Sequence, residues 1–360
     1  VNTSSPSCAV LGAAGYIGQH FARVLGDHPW FGLPRLVGSE RHSGRLLSEV
    51  WELSEEPPER LARARIEVAS PARLAREGVR IAFSALPSGV AGPVESECRR
   101  RGISVFSNSA DHRMDPRVPL LVPEVNGSHL QLTGSPGRAP LLVTNPNCTT
   151  TGLVIALAPV RHLLRPRVIH VATYQALSGA GFPGISSISM ADNIVPFIAE
   201  EEEKIPREAG RILGKLDRGR VHPLAIPILA NCARVGVRDG HLEAVTIEAA
   251  ARPSRAELEA AWRRFDPLAG QPLPSAPHPP VVLRVERDRP QPRRDLWAGT
   301  PASARGMAVV VGRVRWDPPF LRFFLLSHNA VRGGAGGSVL NAEFAAFQGR
   351  LPGFAGGVVR

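Results

Sequence analysis

The first third of the chain repeats one pattern of apolar and polar blocks, and the pattern predicts strand, turn and helix in succession. From Cys8, "CAVLGAAGYIGQHFARVL" reads as a strand, a glycine turn and an amphipathic helix. "RLVGSERHSG" adds a second strand that runs into a polar loop. "VRIAFSALPSGVAGPV" is a buried strand, a turn of small residues and another helix, and "GISVFSNSADHRMD" is a short strand followed by a polar loop. The apolar run Pro-Leu-Leu-Val ends at Val143 and reads as a strand, whereas "LVIALA" from Leu153 reads as a helix.

The second half has a different texture. Val168 to Ala172 is a strand that leads into Gln175 and then Ser178-Gly179-Ala180-Gly181. "FIAEEEEKIPREAGRILGKL" is a helix with strongly acidic first turns, which suit a helix N-terminus, with a solvated face as the default explanation. The run from Glu243 alternates as a strand does, so His241 begins it after an Asp-Gly turn. From Pro267 to Arg294 the chain is rich in proline, and because apolar "VVLRV" interrupts it, an ordered wrap over the surface is expected. "RGMAVVVGRVRW" and "RFFLLSHN" read as strands of an antiparallel sheet, and "RGGAGGSVLNAEFAAF" as a glycine turn entering a helix. No internal repeat is present.

Composition narrows the classes. At 360 residues, 43% hydrophobic and 21% charged, the chain has room for two domains with a large core. No apolar run approaches the roughly 18 residues of a membrane span. The opening Val-Asn-Thr-Ser-Ser-Pro carries no basic segment, so no signal peptide is expected. The net charge of +11 raises nucleic acid as a partner. The basic residues are nearly all arginine and scattered, without a tail or a basic–aromatic stripe, which argues against it. Cys8, Cys98, Cys148 and Cys232 form no C-x-x-C pair, so neither a metal site nor a disulfide framework is expected, and a reducing cytoplasm fits.

Two places invite chemistry. Gly12, Gly15 and Gly18 follow the first strand as G-x-x-G-x-x-G, a variant of the dinucleotide fingerprint, with roles in a tight turn, close approach to a pyrophosphate and helix packing. After the second strand, Ser39, Arg41 and Ser43 suit a 2′-phosphate and favour NADP, while Glu40 either turns to solvent or holds a 2′-hydroxyl. Ser84 to Ser88 lie at the sheet's carboxyl edge, where such cofactors bind. The second place is "VTNPNCTTTG": Cys148 sits at a strand-to-helix corner. A helix N-terminus stabilises a thiolate, the reactive form, yet a small apolar residue capping a buried helix fits the same stretch. Arg113 at the end of a polar loop could reach an anion or be solvated, and a lone strand-edge histidine such as His241 is usually structural.

These and other segments together resemble aspartate-semialdehyde dehydrogenase, in its archaeal and fungal-type branch. The resemblance runs from about Cys8 to Phe347 and rests on "GAAGYIGQHF", "SERHSG", "FSALPS", "SNSADHRMD", "PLLVPEVN", "TNPNCTTTG", "QALSGAGFPG", "EEEEKI", "RVGVRDGH", "DRPQPR" and "HNAVRGGAGGS". It implies an α/β plus α+β architecture. A Rossmann-like, doubly wound NADP-binding domain would span 1–147 and regain the C-terminal helix of 331–360, with a catalytic and dimerisation domain over 148–330. Family members reduce L-aspartyl-4-phosphate to L-aspartate 4-semialdehyde with NADPH and release phosphate, as dimers or dimers of dimers.

The resemblance also implies roles. Cys148 matches the nucleophile, Asn147 a phosphate- and oxyanion-binding asparagine, Gln175 the residue beside the thioester and His241 the general acid/base. Arg234 matches the arginine that holds the substrate's α-carboxylate, and Glu201 the partner of its α-amino group, in a run of four glutamates whose register is open. Arg113 and Lys204 match the phosphate binders. Cofactor contacts fall at Gly12, Ala14, Gly15, Tyr16, Ile17, Ser39, Arg41, Ser43, Ser84, Leu86, Pro87, Ser178, Gly179 and Asn329. Two departures stand out: Ala14 lacks a hydroxyl usual in the first turn, and "LWAGTPASA" at 296–304 matches nothing, so it reshapes an edge of the site or is a surface insertion. A malonyl- or succinyl-CoA reductase, another acyl-phosphate reductase such as one acting on N-acetyl-glutamyl phosphate, and a non-catalytic NADP-binding regulator are the alternatives. The first two use the same machinery, and the last conflicts with Cys148, Gln175, Arg234 and His241.

Overall fold

The computed structural model describes residues 7–137 and 139–351; the last nine positions of the expected segment 331–360 lie outside the described residues. The chain divides into two compact units, and the chain passes from the first to the second between Asn145 and Pro146, two residues before the expected boundary. Residues 122–127 also belong to the second unit, and the chain re-enters the first at Gly334.

The first unit is built on a five-stranded parallel sheet of β1 (Cys8–Leu11), β2 (Arg35–Val37), β3 (Ile81–Ser84), β4 (Ser104–Ser107) and β5 (Leu142–Thr144), in the order β2-β1-β3-β4-β5. The order reverses between β1 and β3, which is the switch point where open α/β sheets bind ligands. The strands are apolar on both faces because helices cover both. On one side Phe83 stacks with Phe106 at 5.9 Å and meets Phe21 of the helix Tyr16–Leu25 at 5.4 Å between ring centroids. On the other, Ala9, Leu11, Ala82, Val105 and Leu142 pack with Leu74 and Cys98. The final helix, Gly336–Phe347, is part of this unit: Glu343 pairs with His28 at 2.9 Å, and Asn108 donates to Ser338 at 3.0 Å.

The second unit holds a six-stranded mixed sheet. Its strands are β6 (Pro166–Gln175), β9 (Ile228–Arg234), β10 (His241–Ala249), β11 (Val281–Leu283), β12 (Val309–Asp317) and β13 (Phe320–Ser327). Their order is β11-β12-β13-β10-β6-β9, and a small hairpin of β7 (Lys215–Asp217) and β8 (Arg220–His222) stands apart. The "VVLRV" run inside the proline-rich segment is therefore a sheet strand rather than a surface wrap: Val281 and Val282 pair with Val309 and Val310. Alternation along β10 buries His241, Glu243, Val245, Ile247 and Ala249 on one face. Against that face lies the helix Cys148–Leu157, apolar on all sides and buried from Thr149 onward, as a helix without a polar stripe must be. Among the described residues no helix is long and apolar enough to cross a membrane.

Candidate active site

Strand direction gathers the chemistry of the second unit. β6 and β9 run parallel and finish together, with Gln175 opposite Arg234. β10 is antiparallel to β6 and starts at that end with His241, which faces Ser327 at the end of β13. Four strands thus deliver Gln175, Arg234, His241 and Ser327 to one end of the sheet, though they are far apart in sequence.

Cys148 is the first residue of its helix. Asn147 is the N-cap, and its Oδ1 accepts from the backbone N–H of Thr149 at 2.9 Å and of Thr150 at 3.2 Å, which satisfies two donors a helix start leaves open. The sulfur of Cys148 lies 3.2 Å from His241 Nε2. His241 Nδ1 accepts from the backbone N–H of Ala176 at 3.1 Å, so the neutral ring carries its proton on Nε2, facing sulfur. Full burial, with Arg234 and His328 nearby, pushes the His241 pKa down to about 3 and keeps the ring neutral. The other three cysteines are buried, and burial pushes Cys8 and Cys98 up to about 12 and Cys232 to about 11, which makes them inert thiols. Cys148 alone of the four is partly exposed.

The acidic helix, Glu201–Ile212, supplies the remaining polar groups. Glu201 is buried, and its two oxygens accept from Asn147 Nδ2 at 2.7 Å and Gln175 Nε2 at 3.0 Å. Glu200 pairs with Lys204 at 2.8 Å, Glu202 accepts from the Cys232 N–H at 2.8 Å, and Glu203 is exposed. Two turns on from Glu201, Glu208 accepts from the backbone N–H of Asn147 at 2.7 Å. One helix face thereby grips both the side chain and the backbone of the corner that carries Cys148. Arg234 is buried and donates to the Ala176 carbonyl at 2.7 Å.

Several glycines are explained by close approach. A Cβ on Gly179 would lie 2.5 Å from Arg234 Nη1 and 3.3 Å from His241 Nε2. A Cβ on Gly333 would lie 2.5 Å from Cys148 Cβ, closer than real contacts allow. Asn329 joins two loops of the site: its Nδ2 donates to Ser178 Oγ at 2.8 Å, and its Oδ1 accepts from the Gly240 N–H at 2.9 Å. The unmatched 296–304 segment packs here too. Leu296 lies against Gly240, and Trp297 meets His328 edge-on with ring centroids 4.7 Å apart, so the segment buttresses the approach to His241. Behind the site, Glu243 is fully buried beside Gly152 of the Cys148 helix, and neither carboxyl oxygen has a hydrogen-bond partner among the described residues. Burial raises its pKa well above 4.5, so it stays neutral.

The first unit holds the remaining expected positions. Gly12 has φ +83°, and a Cβ there would come 2.8 Å from the Ala85 carbonyl oxygen. A Cβ on Gly18 would lie 2.0 Å from the Gly12 oxygen, which accounts for helix packing at that position. Gly15 is the N-cap of the helix that starts with Tyr16 and Ile17, and no side chain caps it. Such a turn is a cradle for a pyrophosphate. Ser39, Arg41 and Ser43 are exposed around the short helical turn Glu40–His42. Ser84 is buried at the end of β3, so its hydroxyl is turned into the unit, while Leu86 is half-buried and Pro87 exposed after it. Ala14 is half-buried in the glycine turn. Arg113 is buried and donates to the Asn108 carbonyl at 2.7 Å.

Sequence reading passed over Glu208, Gly333 and the fully buried pair Arg332–Glu124, whose two hydrogen bonds are both 2.7 Å. A signal existed for Glu208, which stands seven positions after Glu201 on the same helix face. For Gly333 the glycine run after Arg332 was the only trace.

Known proteins resemble the chain over most of its length. The family described as "Semialdehyde dehydrogenase, NAD binding domain" matches residues 7–133, and "Semialdehyde dehydrogenase, dimerisation domain" matches 157–332. An aspartate-semialdehyde dehydrogenase of Archaeoglobus fulgidus is 42% identical, covering 94% of this chain and 97% of that protein. A malonyl CoA reductase (NADP) of Metallosphaera sedula is 34% identical over 93% of this chain and 95% of its own. The crystal structure of aspartate semialdehyde dehydrogenase with NADP from Candida albicans superposes with a TM-score of 0.83 at 31% identity, covering 96% of this chain and 99% of that one.

Proposed function

From the premise that the chain belongs to the aspartate-semialdehyde dehydrogenase family, we propose that it reduces L-aspartyl-4-phosphate to L-aspartate 4-semialdehyde through an acyl group carried on Cys148. The single observation that carries the reading is the 3.2 Å approach of Cys148 Sγ to His241 Nε2, with Arg234 and Glu201 beside them. NADP, bound by the Candida albicans relative, is the hydride carrier this turnover needs. The glycine turn from Gly12 to Ile17 suits its pyrophosphate, and Ser39, Arg41 and Ser43 suit its 2′-phosphate.

The chain's own groups then have definite tasks. The Cys148 thiolate adds to the acyl-phosphate carbonyl, forming a C–S bond as the C–O bond to phosphate breaks. The family resemblance assigns the charge of the departing phosphate to Arg113 and Lys204. Once hydride has reached the thioester carbon, its oxygen bears negative charge. The Nε2–H of His241 shares its proton with that oxygen and takes it back as the C–S bond breaks, so the ring returns to its neutral form. Aspartate semialdehyde leaves, and the thiolate is restored. Covalent catalysis divides one difficult displacement into two easier ones.

Arg234 would pair with the α-carboxylate. Glu201 still has lone pairs beyond those used by Asn147 and Gln175, and they suit the α-ammonium. A buried carboxylate here disfavours a malonyl group, which brings no cation, and this sets the aspartyl reading ahead of the acyl-CoA one. The matched dimerisation region supports a homo-oligomer, a dimer or a dimer of dimers, and the four free cysteines support a cytoplasmic enzyme.

The reverse reaction tests the reading. NADP reduction with aspartate semialdehyde that requires phosphate supports it. Turnover only when CoA replaces phosphate would replace it with the acyl-CoA reading, and NADP binding without either turnover would leave a regulator.

A further inference from the structure

Away from the reaction site, the second unit carries a cavity of about 350 Å³ whose lining includes Arg255, Arg284, Arg287, Arg313 and Arg315. Arginine is common throughout this chain, so number alone decides little. The distribution of counter-charge decides more. Arg255 donates to Glu259 at 2.8 Å and Arg284 to Asp295 at 3.1 Å, but Glu259 is shared with Arg263 and Asp295 with Arg289. The other acid of the lining, Glu286, already faces Arg289 at 3.9 Å. Arg287, Arg313 and Arg315 form no ion pair among the described residues, which leaves a concave surface with excess positive charge.

The backbone at this place is also unfavourable by itself. β12 carries a bulge: Gly312 lies opposite Phe324, but the next paired residue, Arg315, lies opposite Arg322. Within the bulge Arg313 has φ 57°, the left-handed region that residues with a Cβ avoid. Bulges redirect side chains, and here Val314 is buried while Arg313 and Arg315 on either side of it are exposed. Arg315 lies opposite Arg322 across the strands, and Arg322 is held by Asp317 while Arg315 forms no ion pair among the described residues. A left-handed residue with a Cβ therefore stands at the rim of the cavity beside unpaired guanidinium groups, the kind of local conflict found where binding is served.

We propose that this cavity is a second binding site, which takes a compact multivalent anion of the oligophosphate class, inorganic or as the phosphate tail of a nucleotide. Guanidinium groups match phosphate oxygens two at a time, and the volume is at the small end of ligand cavities. The site is remote from the reaction: Arg322, opposite Arg315, is five positions along β13 from Ser327, opposite His241, or roughly 17 Å.

The test is calorimetric titration of the whole enzyme with sodium tripolyphosphate and, separately, ATP, at about 150 mM salt. NADP is held saturating so that the cofactor site is filled. One saturable site per chain is expected, weakened at least about tenfold in the double variant Arg287→Gln, Arg315→Gln while phosphate-dependent NADP reduction is unchanged. Arg313→Gly is the companion variant: it relieves the left-handed backbone, so binding should weaken while the melting temperature holds or rises. Equal affinity for the two ligands assigns the site to phosphates alone, and tighter ATP assigns it to a nucleotide. Absence of saturable binding, or equal affinity in wild type and both variants, would overturn the proposal and leave a solvated arginine surface.

Discussion

His241 and Ala176 are joined by a hydrogen bond of 3.1 Å from backbone N–H to ring Nδ1, which fixes the proton of a neutral ring on the nitrogen that faces Cys148. Burial reinforces this by pushing the ring's pKa down from 6.5 to about 3. In the unfolded chain the ring takes up a proton near 6.5, whereas the native ring does not until about 3. This group's contribution to stability is therefore present above 6.5 and declines on acidification between those values, by about 1.4 kcal/mol per pH unit. Urea midpoints of wild type and His241→Asn should converge as pH falls through this window. The same variant should lose on the order of 10²- to 10⁴-fold in kcat.

Glu243 runs in the opposite direction. Its carboxyl is raised above 4.5, so the native state keeps a proton that the unfolded chain releases. Stability from this source is fully present below 4.5 and is lost as pH rises towards the folded pKa. Above pH 6.5 His241 is neutral in both states and adds nothing to the slope. Glu243→Gln keeps the shape and removes the titration, so its melting temperature should fall less than that of wild type on alkalinisation. A parallel pair of curves would refute a buried neutral acid.

Glu208→Ala leaves the Asn147 N–H buried without its acceptor. A loss of about 1–3 kcal/mol in unfolding free energy is expected. Alkylation of Cys148 by iodoacetamide should also slow more than stability alone explains, because the corner that orients the sulfur is loosened. Unchanged alkylation would confine Glu208 to a role in folding.

Gly333→Ala places a methyl 2.5 Å from the Cys148 Cβ. Either the nucleophile helix or the helical turn Val331–Ala335 that holds Gly333 must shift, and a shift of about 1 Å at a reacting atom can cost on the order of 10²-fold in rate. Steady-state kinetics should show the loss mainly in kcat, with the protein still folded by circular dichroism.

Cys148→Ala should lower turnover at least about a thousandfold while NADP binding, followed by fluorescence titration, survives. Activity within about tenfold of wild type would remove the acyl-enzyme from the mechanism.

The strand–turn–helix rhythm of the first unit was legible because periodicity records which faces are buried, and β1 to β5 lie where the apolar runs are. β11 was misread as a surface wrap, since proline on both sides masks a short strand at a sheet edge. The Asn-Pro-Asn-Cys corner was visible as a local feature. Its companions were not: Gln175, Arg234 and His241 meet through strand order, which spacing does not encode, and entered only through family resemblance. Among the four glutamates, helix phase turns Glu201 inward, as it does Glu208 further along, and leaves Glu203 outside. Gly333 escaped notice because its constraint is a neighbour distant in sequence, Cys148.

The helix that begins at Cys148 is enclosed by protein along its whole length from Thr149. Its sulfur is accordingly a fixed anvil rather than a swinging arm. A covalent inhibitor aimed at it cannot rely on the thiol to search for an electrophile. The warhead must arrive already aligned, so stiff scaffolds of the right pitch should outperform flexible ones of equal intrinsic reactivity.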